Sequence, residues 1–166
     1  MEYRTKTYIA GDWTGDKDAI EQLYKWNESN RWSLSFNNAH DITQARDESL
    51  NCNIKASLKR RLDVSKTFVL IVGENTLKLR SGSCSYCNSY NSWTQHCAKG
   101  RTLDRRSYID YECEMAVEAG MKIIVLYNSY FKDLSKCPEV LRYEGTHIAM
   151  KNYYGWNYEQ IKQALC

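Results

Sequence analysis

The sequence predicts an α/β fold, a three-layer sandwich with a five-stranded parallel sheet at its centre. Apolar runs alternate with amphipathic stretches along the whole chain. The central runs, TFVLIVG (67–73) and KIIVLY (122–127), are β-branched and uninterrupted by polar residues, as strands covered on both faces must be. At 166 residues the chain suits one core better than two, so a single domain over 1–166 is expected. An α+β arrangement around an antiparallel sheet is the competing architecture.

The elements follow in order. KTYIAG (6–11) is a short apolar strand. GDKDAIEQLYKWNESN (15–30) carries Ala19, Ile20, Leu23, Tyr24 and Trp26 behind Asp16, which reads as an amphipathic helix with an aspartate cap. WSLSFNN (32–38) alternates as a second strand, and a polar loop, AHDITQARDESLN, leads away from it. In CNIKASLKRRLDVS, Ile54, Leu58 and Leu62 recur at i, i+4 and i+8, a helical spacing. After TFVLIVG, residues 77–104 form an irregular insertion or lid. DYECEMAVEAG (110–120) reads as a helix closed by Gly120, and KIIVLY follows it as a buried strand. A short helix near Lys136–Arg142, a strand at THIAM (146–150) and a terminal helix in WNYEQIKQAL complete the chain.

Composition excludes several function classes. The formal charge is only +3, and apart from Lys59–Arg61 and Arg105–Arg106 the basic residues are scattered, so nucleic acid is not an expected partner. No apolar run approaches the roughly 20 residues of a membrane span. MEYRTKTYIAGDW lacks a signal-peptide core, so no membrane contact and a cytoplasmic location are expected. Seven cysteines in such a compartment are expected to be reduced, metal-bound or buried rather than paired.

One carboxylate stands out. At about 100° per residue, Asp110, Glu114 and Glu118 share one side of their helix, whereas Glu112 falls in the arc of Tyr108, Met115, Ala116 and Ala119. Ligands of parallel sheets bind at the carboxyl ends of the strands, and Glu112 begins the helix that follows the TFVLIVG strand. Periodicity and topology therefore place it inward and at the functional edge. An inward carboxylate there either serves a site or caps backbone N–H groups and pairs with a basic residue.

The loops GDWTGD (11–16) and NNAHD (37–41) reach the same edge, and neither contains GxGxxG or GxxxxGK[ST]. They are ordinary turns or the walls of a nucleotide-sized site. CSYCNSYNSWTQHC contains Cys84, Cys87, His96 and Cys97, half of a zinc site in outline. Adjacent His96 and Cys97 would have to turn toward one ion, and no second CxxC appears. The insertion is therefore read as a lid whose Trp93 and tyrosines stack on a ligand, and no metal is assigned. His40, His96 and His147 lie far apart, and only His40 sits in a loop at the ligand edge.

SLKRRLDVSKTFVLIVGENT (57–76) and RSYIDYECEMAVEAGMKIIVLYN (106–128) together resemble the core of TIR and TIR-like domains, nearest to the TIR-like subunit of bacterial Thoeris anti-phage systems. In element order the resemblance runs from about residue 6 to 128. It implies a flavodoxin-like sheet of order 2-1-3-4-5, which agrees with the residue-level reading. It also implies cleavage of NAD+ at the nicotinamide–ribose bond by an NAD+ nucleosidase or ADP-ribosyl cyclase/transferase. NAD+ would be the substrate, and no other cofactor is expected.

The family's essential glutamate corresponds to Glu112, and Tyr108 stands where many relatives carry tryptophan. The first-strand motif, often Phe-Ile-Ser-Tyr, is here Tyr8-Ile9-Ala10-Gly11, with Asp12 and Trp13 following, so Trp13 is expected to replace a stacking surface. Gly11, Asp12, Trp13, Asn38 and Tyr108 are the expected substrate contacts. The loop from Asn37 onward corresponds to the family's mobile loop. The resemblance further implies antiviral defence through an ADP-ribose-derived or cyclic ADP-ribose signal, a separate effector that senses it, and homo-oligomer or trigger-dependent assembly. A non-catalytic scaffold acting by domain association, or a flavodoxin-like nucleotide-binding module, are the alternatives.

Overall fold

The computed structural model describes residues 4–32, 34, 36–38 and 50–166. In chain order they form β1 (Lys6–Ala10), α1 (Lys17–Glu28), α2 (Asn51–Asp63), β2 (Ser65–Val72), β3 (Tyr90–Asn91) and β4 (His96–Cys97). There follow α3 (Tyr108–Glu118), β5 (Lys122–Tyr127), β6 (Thr146–Ala149), β7 (Lys151–Asn152), β8 (Gly155–Trp156) and α4 (Tyr158–Leu165). The short helix expected near Lys136–Arg142 is instead two 3-10 turns, Leu134–Lys136 and Glu139–Leu141, because Pro138 lacks the N–H that would join them.

The main sheet runs β1-β2-β5-β6, all parallel. Its alternating side chains divide between two cores. Tyr8, Phe68, Leu70, Val125 and Tyr127 face α2 and α3. Ile9, Val69, Ile71, Ile124 and Leu126 face α1 and α4. Both faces are thus covered, the condition that the unbroken apolar runs require.

The fifth strand expected at 32–38 is reduced, among the described residues, to one parallel bridge between Thr7 and Asn38. Thr7 donates its N–H to the Asn37 carbonyl at 2.6 Å. The preceding ladder groups are used elsewhere. Asn27 of α1 donates to the Phe36 carbonyl and accepts from the Phe36 N–H, both at 2.9 Å. A side-chain amide has taken the place of a strand partner. The segment nevertheless lies outside β1, where the order 2-1-3-4-5 puts it.

The 77–104 insertion contains the antiparallel pair β3–β4, and its Trp93 is 96% exposed. The expected stacking of Trp93 over a ligand is not supported by that position. Among the described residues no helix is long and apolar enough to cross a membrane.

Candidate active site

Helix α3 is fixed at both ends before it presents any side chain. Ser107 Oγ accepts from the Asp110 N–H at 3.1 Å and donates to the Asp110 carboxylate at 2.8 Å, a reciprocal cap. At the other end Gly120, at φ +62°, donates to the Val117 carbonyl, and Met121 donates to that of Ala116. That pattern terminates a helix with a left-handed residue, which is why Gly120 is a glycine. The approach to α3 is held by Lys55, whose buried ammonium reaches the Arg106 carbonyl at 2.8 Å and the Asp104 carboxylate at 3.2 Å. Arg106 bridges Asp104 and Glu114 and lies over the Tyr111 ring at 5.0 Å. Burial pushes the Asp104 carboxyl up, but bonds from Arg106 and Lys55 outweigh it and hold the group at about 2.

With α3 so oriented, Glu112 points inward and is only 7% exposed. The Tyr8 hydroxyl, at the centre of β1, donates to Glu112 Oε1. Burial pushes the Glu112 carboxyl up to about 7, against the opposing pull of the Tyr8 bond and the Arg61 charge. Burial, and then the carboxylate beside it, hold the Tyr8 hydroxyl well above its ordinary value, so Tyr8 stays a donor. Its ring is fixed by stacking on Phe68 at 5.7 Å. The carboxylate therefore has one fixed donor, one nearby cation and a proton affinity tuned to neutral pH.

Glu112 borders a cleft of about 480 Å³ at the carboxyl edge of the sheet. Ile54, Leu58, Leu79 and Ile109 form its apolar wall, and Thr14, Ser57, Ser81 and Arg61 supply polar groups. Of the residues expected from the sequence, Gly11, Asp12, Trp13, Tyr108 and Glu112 line it. Asn38 does not. Its amide donates to the Tyr24 hydroxyl at 3.0 Å, and Tyr24 stacks with Trp13 at 6.2 Å, so Asn38 stands one layer behind the wall. Gly11 packs closely on β2, since a Cβ there would meet the Ile71 Cβ at 3.2 Å. Tyr108 donates to Asn51 at 3.1 Å, and burial pushes its hydroxyl up to about 12. His40 lies outside the described residues. His147 bonds Tyr127 at 2.8 Å, away from the cleft.

Tyr8 and Arg61 are the site residues that sequence reasoning passed over. Arg61 follows Ser57 by four residues and Leu58 by three, so the helical spacing that placed Leu58 could have placed it. Its charge hid it, because a Lys-Arg-Arg run reads as surface. It is 3% exposed. Asp16, read as a cap, makes no side-chain cap bond; it accepts from the Asn128 amide at 2.9 Å instead. Burial raises its carboxyl, and it lines a second cavity of about 160 Å³ that meets the first at Asp12.

The N-terminal part of the chain, which supplies most of the cleft lining, also matches a family model. Residues 8–81 match the profile of the Thoeris protein ThsB, TIR-like domain. Over that span, a little under half of the chain, it is similar to the ThsB TIR-like family. The ThsB-type region covers β1 without its first two residues, α1, α2 and β2, and ends at the cleft residues Leu79 and Ser81. It stops short of α3, so the placement of Glu112 rests on geometry rather than on the match. No curated protein matches the chain.

Proposed function

We propose that this ThsB-type chain is an NAD+ nucleosidase or cyclase that breaks the nicotinamide–ribose bond, with Glu112 as the catalytic carboxylate. The observation that carries the reading is a single buried glutamate, held by Tyr8, facing a cleft of about 480 Å³ at the ligand edge of a parallel sheet.

The chemistry needs little else. Ordinary glycosidases pair a carboxylate with an acid because an alkoxide leaves poorly. Nicotinamide leaves a pyridinium as a neutral molecule and takes the bonding electron pair with it, so no proton donor is required. What remains is to orient the ribose and stabilise positive charge on its ring. A fixed carboxylate in a desolvated site does that without reorganising. The positive nicotinamide ring itself favours the ionised form of Glu112, offsetting the effect of burial as substrate enters. Trp13 and Tyr108 offer aromatic faces to the bases, and Arg61 is the cation suited to a pyrophosphate. Water attack on the ribosyl cation yields ADP-ribose; capture by a nucleophile of the same molecule yields a cyclic product. Either would serve as a signal to a separate effector in antiviral defence.

Purified protein incubated with NAD+ should release nicotinamide, and Glu112→Gln should abolish the release. Turnover undiminished in that variant would overturn the role of Glu112. Mass spectrometry of the remaining nucleotide distinguishes a linear from a cyclic product.

A further inference from the structure

From Cys84 to Arg106 no residue is buried, yet this stretch holds a 3-10 turn and a hairpin whose strands are two residues each. A hairpin of that size without a core does not hold its shape by hydrophobic burial. Something other than apolar packing must staple it.

Four of the seven cysteines converge on its base. Cys52, from the first turn of α2, and Cys84, Cys87 and Cys97, from the insertion, all line one small cavity of about 10 Å³. That volume is close to that of a single water-sized probe, on the order of one ion. The backbone around them is shaped as two tight turns: Cys87 donates its N–H to the Cys84 carbonyl at 3.1 Å, and Gly100 to that of Cys97 at 2.9 Å. Donors also point at the sulfurs. The Asp104 N–H donates to Cys84 Sγ at 3.2 Å. The Arg101 guanidinium reaches Cys52 Sγ at 2.8 Å. Donors aimed at sulfur stabilise thiolates and form the outer shell of thiolate metal sites. None of the four is in a disulfide.

We propose that Cys52, Cys84, Cys87 and Cys97 bind one zinc ion as a tetrahedral tetrathiolate that staples the insertion to the start of α2. The ligand set differs from the one the sequence outlines. His96 is exposed and its ring turns to the Thr94 carbonyl, whereas Cys52, distant in sequence, supplies the fourth sulfur. Among the described residues no three Cys, His, Asp or Glu side chains already stand arranged to hold a metal. The half-exposed thiols must therefore close inward from the cavity wall by side-chain rotation. Binding releases four protons and leaves a site of charge −2, which Arg101 and the Asp104 N–H offset. The staple also reaches the cleft: Asn51, beside Cys52, accepts from Tyr108 and donates to the Ser83 carbonyl at 3.1 Å each. The inference does not depend on the reaction carried out there.

The test is metal content, by plasma mass spectrometry, of reduced full-length protein purified without chelator. One zinc per chain is expected. Cys87→Ser and Cys52→Ser should each lower it at least about tenfold, while Cys166→Ser and His96→Ala leave it unchanged. Cobalt(II) added to the chelator-treated protein should give the intense thiolate charge-transfer and tetrahedral absorption bands, again lost in Cys87→Ser. A metal-free wild type with no such cobalt spectrum overturns the proposal, as does zinc that survives Cys52→Ser or departs in His96→Ala. Circular dichroism guards against misfolding, since the four cysteines lie outside both cores.

Discussion

Glu112→Gln tests both consequences of burying a carboxylate. In the folded chain the group's pKa is raised from 4.5 to about 7, so folding is favoured by its protonation. That contribution is fully present below the unfolded value and is lost as pH rises through the folded one. That rise makes the wild type lose about 2–3 kcal/mol between pH 5 and pH 8 from this group alone. Glutamine keeps the volume, still accepts from Tyr8 and carries no proton to lose. The variant should therefore gain about 2–3 kcal/mol relative to wild type over that interval, or roughly 5–10 °C in Tm for a chain of this size. Thermal and urea unfolding at the two pH values, with nicotinamide release measured on the same samples, reads both effects. A stability gap independent of pH refutes the burial argument. A stable variant that retains turnover refutes the catalytic one.

The wild-type kcat/KM for nicotinamide release should fall about tenfold per pH unit below about pH 7 and level off above it. Tyr8→Phe removes the donor to the carboxylate, so the acidic limb should move to higher pH while stability drops by about 1 kcal/mol; an unmoved limb would remove Tyr8 from the positioning machinery. Arg61→Gln should raise KM for NAD+ more than it lowers kcat and also shift the limb upward, and steady-state kinetics across pH separates these. Gly82→Ala should destabilise by about 1–3 kcal/mol, because Gly82 sits at φ +95° and an added Cβ would lie 2.6 Å from the Tyr108 ring. Denaturant unfolding equal to wild type would refute that crowding.

Glu112 was legible because two local signals agree on it: the helical period turns it inward, and the strand before its helix puts it at the ligand edge. Gly11, Asp12, Trp13 and Tyr108 were placed by the same edge and by likeness to a family. The second strand was misjudged because Phe36 gives its backbone groups to the Asn27 side chain, a contact that alternation of residue types does not encode. Lys55 and Arg61 were hidden by their charge. Each is buried where a surface residue is the default, Lys55 because the Asp104 carboxylate and the Arg106 carbonyl answer it, Arg61 in the same cleft as Glu112.

While the order of strands in the sheet came only with the family resemblance, the sequence by itself determined the α/β class, the principal strands and helices along the chain and the side of α3 on which an acid lies. These follow from periods of about 3.6 and 2 residues, which neighbouring side chains set among themselves. The tertiary structure alone decided that Tyr8 meets Glu112 across 104 positions, and that Cys52 joins a cysteine pair more than thirty residues away. Such meetings depend on how whole strands and helices stack once their loops close, and no local period carries that information.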